Sequence, residues 1–264
     1  MTTRRLRTTV TVALALSTVA AGLGASAADG ARPAGADYSA AVLADQPYLY
    51  WRLDETTGTI AHDVSGNNRD GTFDGAPKLA VRGLIKDDPD TAFHVYGGSG
   101  ASWTPTQDAL AGAYTVEAWA RPVRTNRDLT VVSTRTNEGA RSFDMKFSTF
   151  MGHGIRVDVG DGQQWLMTST LAFDWQYRHT YLLDLTVNPH SATLLVNGAM
   201  VTRQYFDCQP GHCTKPLLTD ATDPIQVGYN EGHIERMRGP IDEVAIYSTN
   251  LSRDQVAAHY AAGT

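Results

Sequence analysis

Ala192-Thr193-Leu194-Leu195-Val196, then Asn197-Gly198, then Ala199-Met200-Val201-Thr202-Arg203: two short apolar runs meet at an Asn-Gly pair. That pair supplies the two positive-φ positions of a type I′ turn, so the stretch predicts a β-hairpin. The same grammar extends outward. Gly and Pro recur between short apolar runs, without the alternation of strands and long helices that marks an α/β chain. Tyr114 to Arg121 sets Tyr114, Val116, Ala118 and Ala120 against Thr115, Glu117, Trp119 and Arg121. Pro122, with no amide hydrogen for a central ladder, ends it. Tyr48 to Asp54 reads as the first strand, with Tyr48, Tyr50 and Arg52 on one face and Leu49, Trp51 and Leu53 on the other. Further strands are expected at Thr130–Thr134, Ser142–Phe147, Gly154–Val159, Gln164–Thr168, Thr180–Thr186, Pro224–Gly228 and Pro240–Tyr247. A single helix is expected over Ser252–Ala262, with Ser252 as cap, Gln255 as its box partner and Gly263 as stop. Strands this numerous with one terminal helix predict an all-β, two-sheet antiparallel sandwich.

The amino end reads as a processing signal. Arg4, Arg5 and Arg7 precede an aliphatic run from Val10 to Ala21 and a small-residue stretch through Ala28, the three-part layout of a secretory leader. The reading is a signal peptide over 1–27, cut before Ala28 or else before Asp29, then a flexible Ala/Gly/Pro spacer over 28–37 and one domain over 38–264. The apolar run is shorter than the ~20 residues of a spanning helix. The expected location is secreted and extracellular. Removing the three leader arginines from the formal net charge of -6 leaves about -9, which argues against phosphate backbones as partners.

Cys208 and Cys213 enclose Gln-Pro-Gly-His. In an oxidising compartment an isolated close pair reads as a disulfide, worth about 2 kcal/mol for so short a loop. Zinc would need further soft ligands that His212 alone does not supply.

Four stretches, in order, resemble one family. They are Pro47-Tyr48-Leu49-Tyr50-Trp51-Arg52-Leu53-Asp54-Glu55 with Asp63-Val64-Ser65-Gly66-Asn67-Asn68-Arg69-Asp70-Gly71; Tyr114-Thr115-Val116-Glu117-Ala118-Trp119; Leu195-Val196-Asn197-Gly198; and Gly239-Pro240-Ile241-Asp242-Glu243-Val244-Ala245-Ile246-Tyr247 followed by Leu251-Ser252. Together they resemble the laminin-G-like jellyroll domains of secreted bacterial proteins, within the concanavalin A-like lectin and glucanase superfamily. The resemblance implies two antiparallel sheets whose first and last strands lie close together, and a structural calcium ion tying them. Here it points to Asp63, Asn68, Asp70 and Asp242 as ligands, with Asn67 in the same turn. Calcium takes six to eight hard oxygens, and this Asx-rich turn offers them; capping of turn amides is the alternative.

The superfamily also holds hydrolases and lyases. Glycosidase chemistry needs two carboxyl groups ~5–9.5 Å apart across a cleft. Glu117 stands alone on its strand, and adjacent Asp242 and Glu243 should point to opposite faces of theirs. His153, His179, His190 and His233 lack zinc spacing, and there is no nucleophile elbow, Walker loop or dinucleotide fingerprint. The expected function is therefore non-catalytic binding of a polysaccharide or cell-surface glycan. Adhesion to an extracellular protein is the second reading and a hydrolase or lyase the third. Candidate contacts are Arg135, Asn137, Arg141, Trp165, Asn230 and Arg236. Trp51 and Trp119 read as core; Trp165 and Trp175 suit either core or surface.

Overall fold

The computed structural model describes residues 34–104, 110–136, 141–149, 153–206, 215–220, 222–230 and 235–264. The leader, Asn137, Cys208 and Cys213 lie outside them. Helix α1 (Ala34–Ala44) leads into β1 (Leu49–Trp51), β2 (Ile60–Ala61), β3 (Gly71–Asp74), β4 (Lys78–Arg82), β5 (Thr91–Val95) and β6 (Gly100–Trp103). Then come β7 (Leu110–Ala111), β8 (Tyr114–Ala120), β9 (Leu129–Ser133), β10 (Phe143–Ser148), β11 (Gly154–Gly160) and β12 (Trp165–Ala172). The chain closes with β13 (Tyr181–Asn188), β14 (Ser191–Val196), β15 (Ala199–Tyr205), β16 (Leu217–Thr219), β17 (Ile225–Val227), β18 (Gly239–Tyr247) and α2 (Arg253–Ala262).

The strands form two antiparallel sheets, the jellyroll sandwich that the resemblance implies. Sheet 1 runs β15-β14-β13-β8-β18-β5-β4, with β1 also on β18; sheet 2 runs β2-β3-β6-β17-β9-β10-β11-β16-β7, with β12 on β11. The Asn197-Gly198 hairpin is present: Asn197 and Gly198 both take positive φ, 53° and 72°, and β14 pairs with β15. First and last strands do meet, Leu49 opposite Ile246 and Trp51 opposite Val244. Strand β1 is shorter than expected because Leu53 turns into the left-handed region at φ 61°.

Between the sheets lies one apolar layer holding Leu49, Trp51, Tyr114, Val116, Ala118, Phe143, Met145, Phe147, Trp175 and Val244 among others. Burying a side chain of this size is worth about 1.5–3 kcal/mol over leaving it exposed. Trp51 and Trp175 are both fully buried. Trp119 faces the other way, into a second apolar layer with Tyr38, Val42, Tyr50, Leu182, Leu195 and Val256, between sheet 1 and the two helices. Ser252 and Gln255 form the expected capping box of α2. Helix α1 was not expected: Ala34 to Asp37, assigned above to the spacer, are its first turn, and Tyr38 and Val42, one turn apart, bury against sheet 1. The two helices thus cover the central part of the outer face of sheet 1.

Candidate functional site

Strand β10 alternates strictly. Phe143, Met145 and Phe147 enter the core, so Asp144, Lys146 and Ser148 point outward from sheet 2. On β11, Ile155, Val157 and Val159 go in and Arg156 and Asp158 go out. The register sets Asp144 directly opposite Asp158 and Lys146 directly opposite Arg156. Like charges facing across a ladder repel. The repulsion is met along each strand: Lys146 Nζ lies 2.7 Å from Asp144 Oδ2, and Arg156 Nε 3.1 Å from Asp158 Oδ2. Glu235 also holds Lys146, Asn230 Nδ2 donates to Asp144 Oδ2 at 3.1 Å, and the Arg135 guanidinium stands 4.0 Å from the same oxygen.

This polar cluster is buried: Asp144, Asp158 and Asn230 are 0% exposed and Lys146 1%. Burial pushes the Asp144 carboxyl up to about 6 against the pull of Lys146. Burial alone would lower Lys146, but the Asp144 and Glu235 carboxylates hold it above the ordinary lysine range. Four buried atoms here lack a hydrogen-bond partner: Asp144 Oδ1, Asn230 Oδ1, Arg135 Nε and Thr130 Oγ1. An unmet buried polar atom costs about 1–3 kcal/mol. These atoms lie on the outer side of sheet 2 and are closed to solvent. The half-buried ring of Trp165 flanks the cluster, with the Arg135 guanidinium carbon 5.1 Å from its centroid.

Of the sequence candidates, Arg135, Trp165 and Asn230 therefore come together. Arg141 lies at the same edge, spending its guanidinium on the Gln163 carbonyl at 2.8 Å. Its carbonyl approaches Gly160 so closely that a Cβ there would sit 1.9 Å away. Arg236 points elsewhere, over the Tyr229 ring at 5.5 Å. Asp144, Lys146, Arg156 and Asp158 were missed, although charges at period two within Phe143-Asp144-Met145-Lys146-Phe147 signal an outward polar row.

The residues expected to hold calcium make hydrogen bonds of their own. Asp63 caps the amides of Tyr50, Ser65 and Arg69 at 2.9, 3.0 and 2.9 Å, and Asp70 that of Asp63 at 2.8 Å. Asn68 takes φ 58° in the same turn, while Asp242 accepts from the Leu84 amide at 2.7 Å. Among the described residues Asp63, Asp70 and Asp242 do not converge on one point; Asp88, Asp90 and Glu243 do, with oxygens within 4.8 Å of one another.

A β-bulge builds this cluster. The pairing of β18 with β8 slips between Asp242 and Ala245, and Glu243 takes φ 52°. The extra residue cancels the alternation, so Asp242 and Glu243 both lie on the outer side of sheet 1, not on opposite faces as expected. The Arg52 guanidinium sits among these acids, 3.3 Å from Asp88, 3.1 Å from Glu243 and touching Asp90. One cation does not balance them. Burial pushes Glu243 up to about 8 and Asp90 up to about 6, with Arg52 opposing in both cases. Surplus carboxylate oxygens in one place fit the donor set of a hard divalent cation.

A third polar cluster lies under the helices. Fully buried Glu117 accepts from Tyr38 Oη at 2.8 Å and pairs with His259 Nδ1 at 2.8 Å, whose Nε2 lies 3.1 Å from Asp45. Burial works against both charges, but their mutual attraction wins, holding His259 above and Glu117 below the ordinary values. Glu117 is thus a structural anchor for both helices. His153 is likewise engaged, stacked on Trp175 at 4.3 Å with Nδ1 on its carbonyl at 2.7 Å. Asp144 and Asp158 stand side by side on one face, each tied to a base, and not across a cleft as a glycosidase pair would be.

Several solved structures share the fold. Domain 4 of AbnA, a GH43 extracellular arabinanase from Geobacillus stearothermophilus in complex with arabinotriose, is 16% identical with a TM-score of 0.60, over 81% of this chain and 98% of that one. The binding domain of Paraclostridial Mosquitocidal Protein 1 is 14% identical with a TM-score of 0.64, over 83% of this chain and 52% of that one. The botulinum neurotoxin serotype D ligand binding domain in complex with N-acetylneuraminic acid is 16% identical with a TM-score of 0.60, over 84% and 52%. The chain spans about half the length of these two toxin domains. No curated protein matches the chain. A laminin-G family model described as the Concanavalin A-like lectin/glucanases superfamily matches residues 96–257, more than half of the chain, and the chain belongs to that family.

Proposed function

We propose that this domain is a non-catalytic glycan-binding module, exported by its leader, that takes a polysaccharide or cell-surface glycan on the outer face of sheet 2. One observation carries the reading: the half-buried Trp165 ring, with the Arg135 guanidinium carbon 5.1 Å from its centroid, stands at the edge of the Asp144, Lys146 and Asn230 cluster. Sugar recognition combines an aromatic face with a few fixed polar groups. Domain 4 of the arabinanase, in complex with arabinotriose, and the toxin domain in complex with N-acetylneuraminic acid support the class of ligand. Saturable retention on one member of a broad polysaccharide panel supports the proposal; folded protein that binds none of them overturns it.

A structural calcium ion belongs to the same proposal. Asp88, Asp90 and Glu243 would hold it, joining β18 to the chain just before β5 and relieving the surplus negative charge that Arg52 leaves unbalanced.

A further inference from the structure

We propose that Arg127, Arg236 and Arg238 form an anion-recognition subsite at the rim of the domain, whose ligand is the carboxylate or sulfate of an acidic glycan. The glycan part of this assignment rests on the function proposed above; the anion subsite itself does not.

A cavity of about 240 Å³ is lined by Gly97, Thr125, Arg127, Arg236 and Arg238. Three guanidinium groups gather there in a chain of formal net charge -6, and among the described residues no carboxylate lines the cavity. None of the three arginines joins an ion pair among the described residues. The acids nearest in sequence are committed elsewhere: Asp128 accepts from the Thr149 amide at 2.7 Å and from the Ser148 and Thr149 hydroxyls, while Glu235 holds Lys146.

The arginines stand on a fixed frame. The Val123 amide donates to the Arg238 carbonyl at 2.9 Å, which fastens the loop carrying Arg127 to the segment that leads into β18 and carries Arg236. Arg236 lies over the Tyr229 ring and beside Gly98, where an added Cβ would come within 3.7 Å of its Nε.

Guanidinium groups match planar carboxylate and tetrahedral sulfate through paired N–H donors. Guanidinium groups gathered this way repel one another, and a bound anion relieves that repulsion. Glu235 faces the polar cluster of sheet 2 and the next residue, Arg236, faces the rim, so one peptide unit separates the two sites. A glycan longer than a single sugar can reach both, which makes charge on the polymer a source of selectivity.

The test compares polygalacturonate and dextran sulfate with their uncharged counterparts, carboxyl-reduced polygalacturonate and dextran, by calorimetry on the purified protein. We expect at least one charged form to bind ten-fold or more tightly than its neutral partner. In an R127A/R238A variant that gap should fall below two-fold, with affinity for the neutral form unchanged. Equal affinities for charged and neutral forms overturn the proposal, and so does a gap that survives the double substitution. A second arm uses inorganic sulfate alone: it should raise the melting temperature more than chloride at matched ionic strength, and R127A/R238A should lose the excess. A sulfate response with no glycan bound in either form overturns the glycan assignment and leaves the anion subsite standing. Tighter binding to duplex DNA or anionic vesicles than to any acidic glycan also overturns the glycan assignment.

Discussion

Asp144 on β10 stands directly opposite Asp158 on β11, and each carboxylate is held by the base two residues along its own strand, Lys146 at 2.7 Å and Arg156 at 3.1 Å. Two like charges are thereby buried side by side on the outer face of a sheet, where a surface strand would ordinarily carry exposed polar residues. Such an arrangement is costly to keep for stability alone, since apolar residues of similar volume often do as well.

Lys146 holds the arrangement together. Lys146→Met should leave Asp144 and Glu235 without their shared cation and destabilise the domain by about 3–5 kcal/mol, as removal of one member of a buried pair does. The double variant D144N/K146M should recover much of that loss while abolishing glycan retention. Urea melts check both values, and a Lys146→Met variant as stable as the parent contradicts the ion-pair reading.

Stability should fall as pH rises from about 5 to 8 in metal-free buffer. Glu243 is pushed up to about 8, and Asp90 and Asp144 up to about 6, so the folded state holds protons that the unfolded state has already lost. Each contribution is full below the ordinary carboxylate value and is lost as pH climbs through the shifted one. Raised His259 adds a loss of the same sign through its own folded value. Glu117, held low, acts in the opposite sense, its contribution disappearing only in acid. Thermal melts across this range should show the decline, with Glu243→Gln making it shallower; melting temperatures that climb from pH 5 to 8 contradict it.

Calcium should oppose that decline. Millimolar calcium added at pH 8 is expected to raise the melting temperature by several degrees, EDTA should reverse the gain, and Glu243→Gln or Asp90→Asn should abolish it. Asp63→Asn, by contrast, should lower stability through its turn amides and leave the calcium response intact. A calcium response lost in Asp63→Asn but kept in Glu243→Gln would return the ion to the Asp63–Asp70 turn.

His259 ties α2 to Glu117 of β8 and to Asp45, just past the end of α1. His259→Ala should cost about 3–5 kcal/mol by leaving buried Glu117 uncompensated. Tyr38→Phe, which removes only one hydrogen bond to the carboxylate, should cost about 1.5–3 kcal/mol. Hydrogen exchange at the α1 amides should quicken in both variants; unchanged exchange would show that α1 is held by its apolar contacts alone.

The sandwich was legible where alternation is strong and turn chemistry explicit, as in β8 and the Asn197-Gly198 hairpin. Strands such as β2, β7 and β16 span only two or three residues and carry no readable period. Helix α1 was hidden by an Ala- and Gly-rich composition that also describes a spacer, although Tyr38 and Val42 at helical spacing were available as a signal. The bulge defeated the reading of Asp242 and Glu243, because alternation assumes an unbroken ladder. Arg135, Trp165 and Asn230 were named by residue type alone. Asp144, Lys146, Arg156 and Asp158 become a cluster only once the register of β10 on β11 is known, and pairing over distance is what a linear sequence does not display.

The most direct test of glycan binding on sheet 2 compares the parent protein with Trp165→Ala on a broad glycan panel in calcium-containing buffer, with thermal melts of both proteins alongside. The expected result is saturable, selective binding of one glycan that weakens about ten-fold in Trp165→Ala, roughly 1.4 kcal/mol, while the melting temperature barely moves. Equal affinity in the two proteins would place any ligand elsewhere, and folded protein that binds no glycan would contradict the assignment and favour a protein partner.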